Sequence, residues 1–261
     1  MICKICKTLS KEHFKAKVLN KYDVQYYRCP KCSFIQTEKP FWINESYASA
    51  ITQLDIGLIQ RNIELAKKTS LIIKFYFNNN ENFLDFAGGY GMLTRLMRDN
   101  GFKFFRQDKY CENIFAKSFD LVNIENTRFE IVTAFEVFEH LEDPMIDIDE
   151  MMNYSDSILF STLLQPNHEI SPEKWWYVSP EMGQHIAIYH LNTLKHIAVV
   201  KGLYLYTNGK NIHLITKKKI NKYIFNLLTK NKISNLLNFI FPFLKKSLNI
   251  EDYYYLKNKI K

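Results

Sequence analysis

Apolar residues in this chain gather in short blocks separated by polar breaks, and the spacing within each block predicts an element. Residues 41–70 read as helical, with Ile51, Leu54, Leu58, Ile59, Ile63 and Leu65 falling largely on one face. The polar run Asn78-Asn79-Asn80-Glu81-Asn82 then precedes a strand at 83–86. A helix at 92–100, a strand at 103–107, a short strand at 121–124 and a strand at 130–135 follow. A helix at 144–154 and a strand at 158–161 come next, then an amphipathic helix at 191–201. Strands at 203–207 and 212–216 flank the turn Asn208-Gly209-Lys210. Strands alternating with helices predict an α/β fold: a Rossmann-like, doubly wound, mostly parallel sheet with an antiparallel last strand. Ligands in such folds bind beyond the carboxyl ends of the strands.

The most telling boundary in the pattern is Leu84-Asp85-Phe86-Ala87-Gly88-Gly89-Tyr90-Gly91. An apolar strand ends in an acid and a glycine-rich turn, and a helix begins at once. Such a turn lets backbone approach a ligand closely at a helix N-terminus. An acid inside the turn suits a ligand with hydroxyls and a positive charge better than a phosphate.

Four of the five cysteines form Cys3-x-x-Cys6 and Cys29-x-x-Cys32, spacing that makes a tetrahedral thiolate site. Four sulfur ligands leave no open position, so a zinc ion there is expected to be structural. The alternative, two disulfides, suits a cytoplasmic chain poorly. The N-terminus carries no apolar leader and no segment reaches the roughly 20 apolar residues of a membrane span, so the expected location is cytoplasmic. Charge divides the chain. Of a total of +8, residues 217–261 hold eleven Lys against Glu251 and Asp252, a balance of +9, which leaves −1 for the other 216 residues. A near-neutral body argues against general nucleic-acid binding, though not against binding by the tail. In that tail Ile220, Tyr223, Ile224, Leu227 and Leu228 recur at helical spacing, followed by Leu236, Leu237, Phe239, Ile240 and Phe241. Two basic amphipathic helices are expected. They either pack their stripe on the protein or lie at the inner membrane surface. The resulting domain plan is a zinc-binding module at 1–40, an α/β domain at 41–217 and a helical tail at 218–261.

The order of motifs resembles the class I S-adenosylmethionine-dependent methyltransferases. It rests on the glycine turn, on Asp108 after the second strand, and on Phe135-Glu136-Val137-Phe138-Glu139-His140-Leu141-Glu142-Asp143-Pro144 after the fourth. With the cysteine module and Trp175-Trp176-Tyr177-x-x-Pro180-x-x-Gly183-Gln184-His185, the chain is similar to zinc-containing sugar methyltransferases. Sugar C-methyltransferases of that group carry a large further C-terminal domain where this chain has its basic tail, which favours O-methylation.

The resemblance implies S-adenosylmethionine and a structural zinc. Asp85, Ala87, Gly88, Gly89 and Gly91 are expected at the methionine and ribose end, with Asp108 on the ribose hydroxyls. Asn126 is either an adenine contact or a turn residue, and Phe135 and Glu136 lie beside the sulfonium. His140 is expected to order its loop. The long insert 162–190 is the expected acceptor side, where Trp175, Trp176 and Tyr177 stack on a sugar or base, or cap the sheet edge. His185 is the candidate base, with Tyr189 and His190 as helpers. The leading function is methylation of a small polar acceptor in surface-polysaccharide synthesis. The alternatives are an RNA-modifying methyltransferase, a sugar C-methyltransferase and a binding module without turnover. An NAD-dependent oxidoreductase is disfavoured, because Asp85 sits inside the turn and the Gly-x-Gly-x-x-Gly spacing is absent.

Overall fold

A computed structural model describes residues 1–47, 55–125, 127–166, 168–240 and 246–259. The chain begins with strands β1 (Lys11–Val18), β2 (Tyr22–Arg28) and β3 (Ile35–Thr37), then helices α1 (Ile43–Ser46) and α2 (Leu58–Tyr76). Strand β4 (Asn82–Phe86), helix α3 (Met92–Asp99), and strands β5 (Lys103–Gln107) and β6 (Ile131–Ala134) follow. Then come helix α4 (Pro144–Tyr154), strands β7 (Ser157–Ser161) and β8 (Ala187–Ile188), helix α5 (Leu191–Val200), and strands β9 (Tyr204–Thr207) and β10 (Ile212–Thr216). The last elements are helices α6 (Lys222–Leu228), α7 (Asn231–Ile240) and α8 (Asn249–Lys259).

Six strands form one sheet in the order β5-β4-β6-β7-β10-β9. Strand β4 pairs in parallel with β5 and with β6, and β9 pairs antiparallel with β10. This is the mostly parallel sheet with an antiparallel last strand that the alternating pattern predicts. The central strands β6, β7 and β10 are buried at every residue, which explains why they read as unbroken apolar runs.

The chain divides into two compact units: residues 1–52, 135–150 and 160–217, and residues 53–134, 151–159 and 218–261. In the first, β1 and β2 form a hairpin whose connection places Leu19 and Asn20 at positive φ, and β3 and β8 complete a four-stranded sheet. Its inner face alternates along the strands, with Ala16, Val18, Val24, Tyr26, Ile35 and Ile188 packing with Trp42 and Trp175. In the second unit, α2 buries Leu65, Ala66, Leu71, Ile72 and Ile73. Helices α6 and α7 lie on α2, where Tyr76 donates to the Asn221 carbonyl (3.1 Å) and Lys67 to Asn235 (2.9 Å).

Two expectations need correction. Over the helix expected at 41–70 the described residues give the single turn α1 and the nineteen-residue α2, with Tyr47, Asp55, Ile56 and Gly57 outside either helix; Ile51 and Leu54 lie outside the described residues. The strand expected at 121–124 is a 3-10 turn, Leu121–Asn123. Reciprocal hydrogen bonds between Asp120 and Asn123 cap it, and Val122 is exposed. In the tail, for which packing and a membrane surface are both open, Tyr223, Ile224, Leu227 and Leu236 are exposed, while Phe225 and Leu228 are buried. Phe241 lies outside the described residues.

Candidate functional site

In the second unit, β4 delivers the chain to the glycine turn. Ala87, Gly89 and Gly91 have φ of 52°, 54° and 84°, and Gly91 N-caps α3. A Cβ on Gly88 would come within 2.5 Å of Asp85 Oδ2, and one on Gly91 within 2.4 Å of Asn113 Oδ1, so both positions exclude side chains. A Cβ on Gly89 would meet nothing within 4 Å, so there is free space beside the turn at that residue.

Asp108 follows β5 as expected, and three backbone amides orient it. Its Oδ2 accepts from Gly89 N (2.9 Å), and its Oδ1 accepts from Tyr110 N and Cys111 N (2.8 Å each). An anchored carboxylate with lone pairs remaining on Oδ2 suits a bound diol. Asp85 differs from the expectation of a ligand contact, being 2% exposed. Its oxygens accept from the Thr133 and Thr94 hydroxyls at 2.8 and 3.3 Å. Burial pushes its carboxyl up to about 7, against the opposing pull of those hydroxyls and of Arg106. Asp85 holds the floor of the turn. Arg106, which the sequence reading passed over, binds the Gly89 and Cys111 carbonyls and pairs with Asp120 (2.8 Å), tying β5 to the turn. Its signal was an arginine inside an apolar strand, an unusual residue for that place unless paired. Asn126 lies outside the described residues.

In the first unit, the Glu136–His140 segment meets the Tyr177–His185 segment. Glu136 takes φ of 55°, and its carboxylate and backbone N–H both bond the Ser161 hydroxyl. Phe135 is half-buried beside it. Glu139 is fully buried, and the Ile186 N–H donates to its carbonyl (3.0 Å). His185 Nδ1–H donates to the Tyr177 carbonyl (2.6 Å) and His140 Nδ1–H to the Gln184 carbonyl (3.1 Å). A carbonyl only accepts, so each bond fixes the tautomer and leaves the lone pair on Nε2. The carboxylate of Glu139 and one nitrogen of each ring lie within 4.8 Å of one another. Burial lowers the His185 pKa below its ordinary value.

The remaining acceptor-side residues divide. Tyr189 is fully buried with its hydroxyl on the Phe138 carbonyl (3.0 Å), and burial holds its pKa well above 10. His190 caps α5, its Nδ1 accepting from Asn192 N (3.1 Å). Both have structural work, which corrects the reading of them as helpers. Trp175 and Tyr177 belong to the core beneath the N-terminal sheet. Only Trp176 of the three aromatics is exposed, so a stacking role for the whole run does not fit.

The cysteines form two matching knuckles. Cys3 N bonds Thr8 O and Lys7 N bonds Cys3 O; Cys29 N bonds Phe34 O and Ser33 N bonds Cys29 O. Lys7 and Ser33 both have positive φ. The sulfurs of Cys3 and Cys32 are 3.6 Å apart and those of Cys6 and Cys29 are 3.3 Å apart. Disulfide sulfurs sit about 2.05 Å apart, whereas a ZnS4 tetrahedron with bonds of about 2.3 Å needs roughly 3.8 Å. The set fits a metal better than two disulfides.

A family profile described as a methyltransferase domain matches residues 58–207, more than half of the chain. The chain belongs to this methyltransferase family. No match is found among curated proteins. Solved structures similar in fold include an O-methyltransferase family 2 protein from Planctomyces limnophilus in complex with apigenin. It has 12% identity and a TM-score of 0.41, with 67% of this chain and 65% of that one covered. An O-methyltransferase family protein from Burkholderia thailandensis has 12% identity and a TM-score of 0.42, with 69% and 68% covered. The calicheamicin-biosynthesis methyltransferase CalO1, with S-adenosylhomocysteine bound, has 10% identity and a TM-score of 0.40, with 69% of each chain covered. The methyltransferase thus spans just under two thirds of the Planctomyces protein's length, and scores of this size add no argument about its acceptor.

The turn leaves free space beside Gly89, and Asp108 offers an oriented carboxylate, a set that fits a ligand carrying a diol. Among the described residues, no helix is long and apolar enough to cross a membrane.

Proposed function

We propose that this methyltransferase transfers a methyl group to an oxygen of a small polar acceptor. The acceptor is a sugar, sugar nucleotide or related intermediate of surface-polysaccharide synthesis. The observation that carries the reading is the Glu139–His140–His185 cluster, in which Glu139 and His185 are buried and both imidazoles are pinned through Nδ1. Bound S-adenosylmethionine supplies an electrophilic methyl on sulfur. The Gly88–Gly91 backbone seats the cofactor's amino-acid and ribose end, and Asp108 accepts from its ribose hydroxyls. Phe135 and Glu136 flank the methionine end. The bound cofactor would supply the methyl group to the acceptor oxygen, and the cluster containing His185 would take the acceptor's hydroxyl proton. Trp176, exposed on the same insert, contributes an aromatic face to a sugar ring. Cys3, Cys6, Cys29 and Cys32 hold a structural zinc. The polysaccharide context rests on the resemblance of this zinc module to that of the sugar methyltransferases.

The test is turnover of a panel of nucleotide sugars, read as S-adenosylhomocysteine formed. His185→Ala is expected to cut turnover about a hundredfold or more with cofactor affinity nearly unchanged. Methylation confined to RNA, or full activity in His185→Ala, would overturn the reading.

A further inference from the structure

We infer that Glu139, His140 and His185 form a binding site for a divalent transition-metal ion, separate from the four-cysteine site. The first observation is an imbalance. Glu139 is 0% exposed, and neither carboxylate oxygen has a hydrogen-bond partner. An unpartnered buried carboxylate is costly and uncommon, and an ion is one of the few things that satisfies it. The neighbouring hydroxyls of Tyr177 and Thr162 ease its charge, but the bond between them (3.2 Å) uses one of their two protons, so a single proton remains for the two carboxylate oxygens.

The second observation is how the two rings are held. Each imidazole donates its Nδ1–H to a backbone carbonyl, Tyr177 for His185 and Gln184 for His140. Metal-ligating histidines are held in this way: the outer bond selects the tautomer, aims the ring and raises the basicity of the other nitrogen. The ligand atoms of all three residues lie within 4.8 Å of one another. An ion about 2.1 Å from each donor asks for separations of roughly 3–4 Å, inside that limit. Glu136 adds a second negative charge that acts on both Glu139 and His185.

Two nitrogens and one carboxylate suit Zn2+, Co2+, Mn2+ or Fe2+ better than Ca2+ or Mg2+. Three protein ligands leave at least one position for water or an acceptor oxygen. The role rests on the proposed methyl transfer to oxygen: a hydroxyl brought to the ion loses its proton nearer neutral pH, as metal-held water does. His185 then acts through the ion it holds.

The test uses full-length protein with zinc already on its cysteines. Co2+ and Mn2+ are titrated by calorimetry and followed by visible absorption and electron paramagnetic resonance. One further ion per chain is expected. Its Co2+ spectrum should lack the intense sulfur charge-transfer bands of a thiolate site, and bound Mn2+ should show imidazole nitrogen couplings. Glu139→Gln, His140→Ala and His185→Ala should each weaken binding tenfold or more, with circular dichroism unchanged. The wild-type spectra decide the matter if those variants misfold. No ion beyond the cysteine site, or bound Mn2+ without nitrogen couplings, overturns the site. S-adenosylmethionine binding is measured on the same samples. Loss of cofactor binding with the ion retained counts against the methyltransferase reading alone, and an intact cofactor site without the ion counts against this inference alone.

Discussion

Removing the carboxylate of Asp252 tests how the C-terminal helix is held. Asp252 is 4% exposed and bonds Arg98 twice, Nη2 at 2.5 Å and Nε at 2.9 Å, with Arg95 at 2.9 Å. Arg98 is 6% exposed, donates to the Phe104 carbonyl (3.0 Å) and lies 3.7 Å over the Phe119 ring. Asp252→Ala leaves that guanidinium buried without its counter-charge, which costs about 3–5 kcal/mol if nothing moves. The chain has a cheaper response. Helix α8 is eleven residues long, below the length at which an isolated helix is stable in water. Apart from the ion pair, its docking rests mainly on Leu248 and on the stacking of Tyr255 on Phe119 (centroids 5.8 Å). Burying that much apolar surface contributes only about 2–3 kcal/mol before the cost of ordering the segment. Releasing α8 and rehydrating Arg98 should therefore cost less than keeping the charge buried. The expected result is a fall in global stability of about 1–3 kcal/mol by urea unfolding, with loss of amide-exchange protection confined to residues 246–259 and the facing end of α3. Replacing both partners by apolar residues, Arg98→Met with Asp252→Leu, should restore much of the loss. Unchanged protection of α8 in Asp252→Ala, with a stability loss under about 0.5 kcal/mol, would refute the reasoning by making the pair equivalent to a surface ion pair.

Three further outcomes are expected. Metal analysis should find one zinc on the cysteine knuckles, and Cys6→Ser with Cys29→Ser should lower the zinc content by one per chain. Asp108→Ala should weaken S-adenosylmethionine binding by about 1.5–3 kcal/mol in calorimetry, through loss of charge-assisted hydrogen bonds. His213 is buried, with Nε2–H on the Thr162 carbonyl (3.0 Å) and Nδ1 on the Thr207 hydroxyl (2.7 Å), and burial pushes it down to about 4. The unfolded chain then binds a proton that the folded one refuses. Stability from this group is complete above about pH 6.5 and falls by about 3 kcal/mol as pH drops towards 4. His213→Gln should flatten that part of the acid limb in urea titrations.

The sheet was legible because β4 to β7 and β10 are short apolar blocks with clear breaks, and their order dictates parallel crossovers. The hairpin of β1 and β2 was not. Its strands carry Lys, Glu, Tyr and Gln on the outward face, and its turn uses Leu19 and Asn20 at positive φ in place of glycine. The 3-10 turn at Leu121–Asn123 misled for a similar reason: a Leu-Val pair suggests a strand, whereas the Asp120–Asn123 capping bonds act on the backbone directly. In the tail the helical period was legible and the burial was not. Spacing identifies a stripe, but only packing on α2 decides that Phe225 and Leu228 go inward while Tyr223 and Leu227 do not.

Within the site, the glycine turn and Asp108 were legible, since backbone freedom and a strand-end acid are properties of residue type and position. What the sequence could not rank was Glu136 against Glu139. Both stand in one motif three residues apart, and the one beside the turn's expected ligand drew attention. The structure separates them by environment: Glu136 is half-buried on the Ser161 hydroxyl, and Glu139 is fully buried, with burial and the charge of Glu136 pushing its carboxyl up to about 8. A carboxyl so placed either keeps its proton or meets a cation, and in both cases it differs from a solvated acid of the same sequence context. The decisive partners, Gln184 and Tyr177, act through their carbonyls, which every residue possesses. No residue pattern announces a carbonyl aimed at an imidazole. That contact depends on the Phe138–His140 turn meeting the segment after Gly183, where the Ile186 N–H bonds the Glu139 carbonyl. The chemistry of His185 follows from that meeting, and the motif alone supplies only the residues that take part in it.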